Sequence, residues 1–216
     1  MKPLKRIFSI SFLLGILYLC FYPIALDPIA RKTPPFPGLV GAYKTNDLLK
    51  KTALVSIPHP GPESIVADSL GHFYTGLSNG DILKFDAKGN NQVVITNTGG
   101  RPLGMKIAPT GELIIADQKK GLLALDSTNN LRVLVDQYKG ERLLFVDDLD
   151  ISKEGIVYFS NATQRNPNVV ENEAWEQRAS GALFAHDLSS GETTLLKDDL
   201  FFPNGVALNA TQDYFI

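Results

Sequence analysis

Cysteine and histidine are scarce in this chain of 216 residues, which contains Cys20 and three histidines, His59, His72 and His186. One cysteine cannot form an intrachain disulfide. The histidines lack the spacing of zinc ligands, so a zinc site built from His and Cys is not expected. No P-loop or dinucleotide-binding fingerprint occurs. We expect neither nucleotide chemistry nor a serine-hydrolase mechanism.

Acidic residues are absent from the first 26 positions, where Lys2, Lys5 and Arg6 precede 20 uncharged residues from Ile7 to Leu26. Such a run spans a bilayer core of roughly 30 Å as a helix. It is longer than the apolar region of a signal peptide, which favours a transmembrane signal anchor at 7–26 over a cleaved signal peptide or a buried helix. The basic residues predict a cytoplasmic tail at 1–6 and a single-pass membrane protein whose domain lies on the non-cytoplasmic side.

The rest of the chain is acidic, because three of the 21 basic residues precede the anchor and all 23 acidic residues follow it. The resulting net charge of −5 after the anchor argues against a nucleic-acid partner. Residues 27–51 contain Pro28, Pro34, Pro35 and Pro37 and predict a Pro-rich spacer between the membrane and the domain.

One pattern recurs along the remaining residues. An apolar run leads to a turn marked by Gly71, Gly111 or Gly155, with Gln212 in the matching position of a fourth pass, and a strand-like run follows each marker. Successive markers are 40, 44 and 57 residues apart. Repeats of about 40 to 50 residues made of short strands are typical of β-propeller blades. The sequence therefore predicts an all-β propeller over 52–216, with a peripheral strand just after Lys51.

The repeats place four residues at equivalent positions, eight residues before each marker: Glu63, Leu103, Asp147 and Asn204. Loops that enter the innermost strands of a propeller gather around its central channel. Three of these positions carry side-chain oxygens, which predicts a site there. The alternatives are a turn carboxylate for Glu63, loop-capping hydrogen bonds for Asp147, and a simple turn at Asn204.

The third repeat is longer than the first two. Each turn glycine is followed by two strand-like runs, and an aspartate ends the second run. The glycine and this aspartate are 15 residues apart in the first two repeats and 32 apart in the third. The additional residues lie between Thr163 and Gly181 and include the only tryptophan, Trp175. An insertion within a blade forms a loop on one face, often the binding face. The alternative is a solvated loop that Trp175 packs onto the blade.

The fourth repeat is incomplete, since only two strand-like runs follow Leu200. Propellers close into a ring to remove edge strands, and about three and a half blades cannot close. We therefore expect a C-terminally truncated piece of a longer propeller.

Four motifs, in order, carry a family resemblance: GPE from Gly61, GRPLG from Gly100, FVDDLDIS from Phe145 and FPNGVAL from Phe202. Behind an apolar segment and a Pro-rich stretch, they resemble the strictosidine synthase-like branch of the senescence marker protein, gluconolactonase and paraoxonase superfamily, which includes membrane-anchored members. The resemblance implies a six-bladed β-propeller with an active site for a small-molecule substrate at one mouth of the channel.

In calcium-dependent lactonases of this superfamily, a Glu, Asn residues and a later Asp hold the metal. The resemblance assigns Glu63 and Asn204 to ligand positions and places Asp147 where an Asn is usual. Oxygen ligands suit calcium. Asp147 adds a charge that either tightens calcium binding or marks a branch that does not use it. Asp148 and Arg101 are candidates for supporting or channel positions.

Three functions agree with this sequence. The first is a membrane-anchored, metal-assisted hydrolase of lactones or aryl esters. The second is a Pictet-Spengler condensing enzyme, which the family name implies. The third is a non-catalytic binding propeller, because one fold hosts many functions. No catalytic residue is assigned.

Overall fold

The computed structural model describes residues 2–22, 29–30, 32–36, 38–165, 168 and 171–214, without the side chains of residues 2–7 and 42. Helix α1 spans Lys2–Phe21, and its apolar side chains from Phe8 onward are exposed. Among the residues described, no helix combines the length and apolar character needed to cross a membrane. Residues 23–26, which complete the predicted anchor, lie outside the described part. The transmembrane anchor is therefore not confirmed.

The described residues form three four-stranded antiparallel sheets, in each of which sequential strands are neighbours. The first comprises β1 (Ile65–Ala67), β2 (His72–Gly76), β3 (Asp81–Asp86) and β4 (Val93–Asn97). The second comprises β5 (Pro102–Ile107), β6 (Leu113–Asp117), β7 (Gly121–Leu125) and β8 (Leu131–Val135). A short hairpin follows, formed by β9 (Gln137–Tyr138) and β10 (Glu141–Arg142). The third sheet comprises β11 (Val146–Ile151), β12 (Ile156–Asn161), β13 (Gly181–Asp187) and β14 (Thr193–Leu200). This up-and-down order is that of propeller blades.

The predicted turn markers lie between the first and second strands of each sheet. Gly71, Gly111 and Gly155 have φ values of +84°, +88° and +87°, a region that L-residues rarely occupy. In each turn the backbone N–H of the glycine donates to the carbonyl three residues earlier, at 2.8 to 3.2 Å. These conformations explain why glycine recurs there.

Apolar side chains between neighbouring sheets form the core. Strand β5 packs against β1 on one side and β11 on the other, so the first strands of the sheets are adjacent. One cluster joins the second and third sheets and includes Ile114, Leu149 and Phe159. A second cluster centres on Met105 and Ile115, with Tyr74 of the first sheet packed against it. Neighbouring sheets therefore bury their facing sides against each other.

The segment before the first sheet contains no strand within the residues described from 38 to 64. It forms two short 3₁₀ turns, Gly41–Tyr43 and Leu48–Lys51. The strand predicted just after Lys51 is therefore wrong. Ile57 instead packs against the apolar cluster of the first sheet, and Gln92 donates a side-chain hydrogen bond to the Ser56 carbonyl at 2.8 Å.

The fourth repeat does not form strands between Phe201 and Tyr214. Leu208 makes only an isolated bridge, and residues 215–216 of the predicted second strand lie outside the described part. A strand needs a partner ladder, and side chains of β11 bond this segment instead. The segment nevertheless repeats the turn, because Gln212 has φ +59° and its N–H donates to the Asn209 carbonyl at 3.0 Å.

The insertion of the third sheet contains a short helix, α2 (Glu171–Glu176). Trp175 on this helix is 69% exposed, so it does not pack the insertion onto the sheet. The backbone N–H of Ile29, in the predicted spacer, donates to the Glu176 carbonyl at 2.9 Å. The beginning of the spacer therefore contacts this insertion.

Candidate functional site

Irregular pairing in the first strands of two sheets positions the equivalent residues. The register between β5 and β6 shifts by one residue between Pro102 and Met105, and that between β11 and β12 shifts between Val146 and Leu149. These bulges contain Leu103 and Asp147, respectively. A bulge bends its strand and re-aims the side chains within it. The same bulge therefore orients Leu103 and Asp147 in the same way at this end of their strands.

The four equivalent residues line one pocket of about 450 Å³. Its lining includes Glu63, Leu103, Asp147 and Asn204, one from each repeat. Leu103 is buried in a small apolar cluster with Phe145, so this position supplies packing rather than polar contacts. The pocket therefore brings together the three oxygen-bearing side chains that the repeat spacing singled out.

Asp147 is the most perturbed acid of the pocket. It is 3% exposed, and its Oδ2 is buried without a hydrogen-bond partner. Burial, followed by the negative charges of Glu63 and Asp148, raises its pKa to about 7, against a smaller opposing effect of Arg101. A buried carboxylate surrounded by like charge is costly unless a cation or a proton compensates it.

Arg101 is a cation of the pocket that lies beside Glu63. Its Nη2 lies 3.5 Å from Glu63 Oε2, and both side chains are partly exposed. Its backbone N–H donates to Oδ1 of the fully buried Asp117 at 3.0 Å. The same Oδ1 accepts the N–H groups of Lys119 and Lys120. Asp117 thus fixes the backbone from which Arg101 extends into the pocket.

Asp148 contributes differently from Asp147. Its Oδ2 accepts a hydrogen bond from the Val206 N–H at 3.0 Å, which attaches the fourth repeat to β11. In the same region the Asn204 carbonyl accepts a 3.4 Å hydrogen bond from Ser160 Oγ. Asp148 therefore supports the segment that carries Asn204, and its charge acts on Asp147.

The oxygen-bearing side chains of the pocket are of the type that binds a hard cation. The unpartnered Oδ2 of Asp147 and the carboxylate and amide oxygens of Glu63 and Asn204 match the ligands that calcium prefers. Among the side chains described, however, no three acidic, His or Cys residues are grouped closely enough to hold a metal. Since calcium takes six to eight oxygens, these three residues would supply part of its coordination shell.

Although no serine-hydrolase mechanism is expected, the chain contains one match to the G-x-S-x-G pattern of serine hydrolases, Gly76–Gly80. Its Ser78 lines the pocket. The match lies in the hairpin between β2 and β3, whereas a nucleophile elbow joins a strand to a helix. The hairpin context therefore does not support a nucleophilic role for Ser78.

Several lining residues were not identified from the sequence as site residues. Asn168 and Glu171 belong to the insertion of the third sheet, and Phe202 precedes the Pro-Asn-Gly turn. The length of the insertion indicated a loop on one face, but nothing in the sequence placed it beside the repeats' equivalent residues. Their place in the pocket depends on tertiary packing.

Comparison with known families gives two matches. The family described as Strictosidine synthase matches residues 147–216, and Strictosidine synthase-like, N-terminal matches residues 41–85. The first range contains Asp147 and Asn204, and the second contains Glu63. Both ranges include candidate site residues.

Similar proteins agree with these matches. Adipocyte plasma membrane-associated protein of Danio rerio is 31% identical, over 91% of this chain and 51% of its own. Protein STRICTOSIDINE SYNTHASE-LIKE 4 of Arabidopsis thaliana is 30% identical, over 66% of this chain and 40% of its own. The solved structure of a gluconolactonase from Xanthomonas campestris has a TM-score of 0.59 at 16% identity, over 71% of this chain and 52% of its own. The chain spans about half the length of the curated relatives that it matches most fully.

Proposed function

The chain belongs to the strictosidine synthase-like family, and from this membership we propose that it is part of a membrane-anchored hydrolase that acts on lactones or aryl esters. Its propeller would have six blades, with the active site at the pocket of Glu63, Asp147 and Asn204. The observation that carries the proposal is the buried, unpartnered Oδ2 of Asp147 in a pocket that Glu63 also lines. Excess negative charge of this kind favours a bound cation.

Glu63, Asp147 and Asn204 would hold calcium, with Asp148 and Arg101 in supporting positions. When bound, the ion would supply Lewis-acid polarisation of the substrate carbonyl. Arg101, held by Asp117, points a guanidinium at the same pocket. A donor fixed in this way can stabilise the negative charge that develops on the carbonyl oxygen.

The metal-assisted proposal is tested by thermal unfolding with and without calcium. Calcium at a hundredfold excess over its Kd should raise Tm by roughly 5–10 °C, because binding to the folded state stabilises it by mass action. Glu63→Gln and Asn204→Ala should reduce this shift and slow hydrolysis of a lactone panel. Glu192→Gln removes an exposed carboxylate of the third sheet and should change neither. No calcium-dependent shift, together with unchanged hydrolysis in Glu63→Gln, would contradict the proposal.

We also propose the anchor, in which residues 7–26 cross the membrane and the domain lies on the non-cytoplasmic side. The support is Lys2, Lys5 and Arg6 ahead of an uncharged run that begins inside helix α1. Protease added outside sealed vesicles whose non-cytoplasmic side faces outward should digest the domain. Digestion only after permeabilisation would reverse the orientation, and release of the protein by alkaline carbonate would contradict an integral anchor.

Measurements of turnover, calcium requirement and ligand binding separate the two remaining functions from the hydrolase. A condensing enzyme of the strictosidine synthase type would convert an amine and an aldehyde without a calcium requirement. A binding propeller would show saturable ligand binding without turnover of either substrate class. Either result, with an intact fold, would replace the hydrolase proposal.

A further inference from the structure

The chain contains two copies of the sequence Asn-X-Thr, which accepts N-linked glycans in proteins of the secretory pathway. They are Asn161-Ala-Thr163, at the end of β12, and Asn209-Ala-Thr211, in the turn of the fourth repeat. A glycan is bulky and hydrated, so a folded protein accommodates it only where the acceptor side chain reaches solvent. The fold therefore distinguishes between the two copies.

The first copy is enclosed by the protein. Asn161 and Thr163 are both 0% exposed. Asn161 Oδ1 accepts the N–H of Phe145 at 2.9 Å, and its Nδ2 donates to the Thr163 carbonyl at 3.2 Å and to Gln164 Oε1 at 3.0 Å. A sugar on Nδ2 would replace one of these donor hydrogens and leave a buried acceptor unpaired. A chain modified at Asn161 therefore cannot adopt this fold.

The second copy lies at the surface. Asn209 is half-buried, and Ala210, Thr211 and Asp213 are exposed. Asn209 Nδ2 donates exposed hydrogen bonds of 2.6 Å to Thr211 Oγ1 and to Asp213 Oδ1. The described hydrogen bonds of this side chain are all local, as is usual for an asparagine in a turn. The amide and the hydroxyl that define the acceptor sequence are therefore neighbours at the surface, where a sugar would extend into solvent.

This turn is remote from the candidate site. Gln212 Oε1 accepts the N–H of Lys153 at 3.0 Å, so the turn of the fourth repeat lies beside the turn that Gly155 marks in the third sheet. Asp147 is near the beginning of β11, whereas Lys153 follows its end. The six residues of this strand span about 20 Å. A glycan on Asn209 would therefore leave the pocket open.

We propose that Asn209 is an N-glycosylation site. The donor would be an oligosaccharide carried on a lipid diphosphate. Asn209 Nδ2 would bond to the anomeric carbon of the first sugar while the bond from that carbon to the diphosphate oxygen breaks. The lipid diphosphate would leave, and one amide proton would pass to a base of the transferase. The inference rests on the proposed orientation of the domain, because this modification occurs in secreted and non-cytoplasmic segments.

The test is expression of the full chain in eukaryotic cells, with gel mobility compared before and after treatment with peptide N-glycosidase. This enzyme converts a modified Asn into Asp, which mass spectrometry of the peptides locates. We expect one glycan, on Asn209, and an unmodified Asn161. Asn209→Gln should abolish the mobility shift. Thr211→Ser is the matched control, because it retains the hydroxyl and should retain the glycan.

Gly191→Asn tests the orientation separately. It creates a third acceptor sequence with Glu192 and Thr193 in the exposed turn between β13 and β14. Gly191 has φ +74°, which Asn tolerates better than most residues, and a Cβ there meets nothing within 4 Å. This variant should carry a second glycan.

The outcomes distinguish the inference from the proposed orientation. Modification of Gly191→Asn at the new position without modification of Asn209 would overturn the inference and support the orientation. Absence of glycans at both positions would overturn both. A glycan on Asn161 in the folded protein would contradict the argument from burial and overturn the choice of site. None of these readouts depends on lactone hydrolysis.

Discussion

Asp148 accepts a hydrogen bond from the backbone N–H of Val206, 58 residues later in the chain, at 3.0 Å. Two positions further along β11, Asp150 Oδ2 accepts the N–H of Leu208 at 2.9 Å. Alternate residues of a strand point to the same side, so both carboxylates meet the same segment. The fourth repeat is therefore attached to the third sheet by side chains instead of a β-ladder.

Removing the Asp148 carboxylate should destabilise the protein. Asp148→Ala leaves the N–H of the buried Val206 without its acceptor, which costs about 1–3 kcal/mol in the free energy of unfolding. Asp148→Asn retains an acceptor oxygen and should recover most of this loss. Urea unfolding of the two variants measures the difference. Equal stabilities would mean that the hydrogen bond contributes nothing.

The repeats could be located from the sequence because their turns require a backbone with positive φ, which glycine adopts readily. Gly71, Gly111 and Gly155 all adopt positive φ, and Gln212 adopts φ +59° at the matching position although it has a side chain. The spacing of these markers therefore identified equivalent positions in all four repeats. It could not show that the fourth repeat lacks strands in the described residues, because strand formation depends on a partner as well as on the local sequence.

The repeated residues of the site could be predicted from the sequence, whereas the residues that the third-sheet insertion adds to it could not. Glu63, Asp147 and Asn204 share a position in the repeat, so periodicity was sufficient to group them. Asn168 and Glu171 lie in an insertion that has no counterpart in the other repeats. Their position depends on buried contacts such as that between Thr163 and Glu173, which no sequence period encodes.

Stability should fall as pH rises through neutrality in the absence of metal. The pKa of Asp147 is raised from 3.8 to about 7 in the folded state. The folded protein therefore keeps a proton that the unfolded chain has released, and the resulting stabilisation is complete below about pH 4 and lost as pH rises through about 7. The loss is of the order of 2–4 kcal/mol.

Asp147→Asn cannot ionise, so its stability should depend less on pH between about 4 and about 8 than that of the unmodified protein. Urea unfolding with a chelator present measures both profiles, and the slope rather than the absolute stability is the readout. Glu192→Gln should keep the original slope. An unchanged slope in Asp147→Asn would show that another group causes the pH dependence.

Gly104 should not tolerate a side chain. A Cβ at this position would lie 2.5 Å from Asp148 Oδ1 and 2.7 Å from Asp148 Cα, and real Cβ atoms do not approach so closely. Gly104→Ala should therefore force β5 and β11 apart and cost about 1–3 kcal/mol or more. Gly205→Ala is the control, because its nearest atom, Asp148 Oδ2, is 3.9 Å away. Similar thermal stability of the two variants would contradict the close contact between these strands.

Substitution of Arg101 should separate cation binding from catalysis. Its guanidinium lies 3.5 Å from Glu63 Oε2 and lowers the pKa of Asp147, so it competes with a metal for the same negative charge. Arg101→Gln should tighten calcium binding by about two- to fivefold, which corresponds to the modest energy of a partly exposed ion pair. It should also slow lactone hydrolysis by about 10²–10³ if the guanidinium stabilises the oxyanion.

Arg101→Lys preserves the charge and is the control for this prediction. Calcium affinity should stay near that of the unmodified protein, while hydrolysis recovers only in part because an ammonium group lacks the planar, multiple donors of a guanidinium. Calorimetry with calcium and initial rates on one lactone supply both readouts. If Arg101→Gln weakened calcium binding and hydrolysis together, the guanidinium would serve to hold the pocket in shape. If both stayed unchanged, Arg101 would have no role in the site.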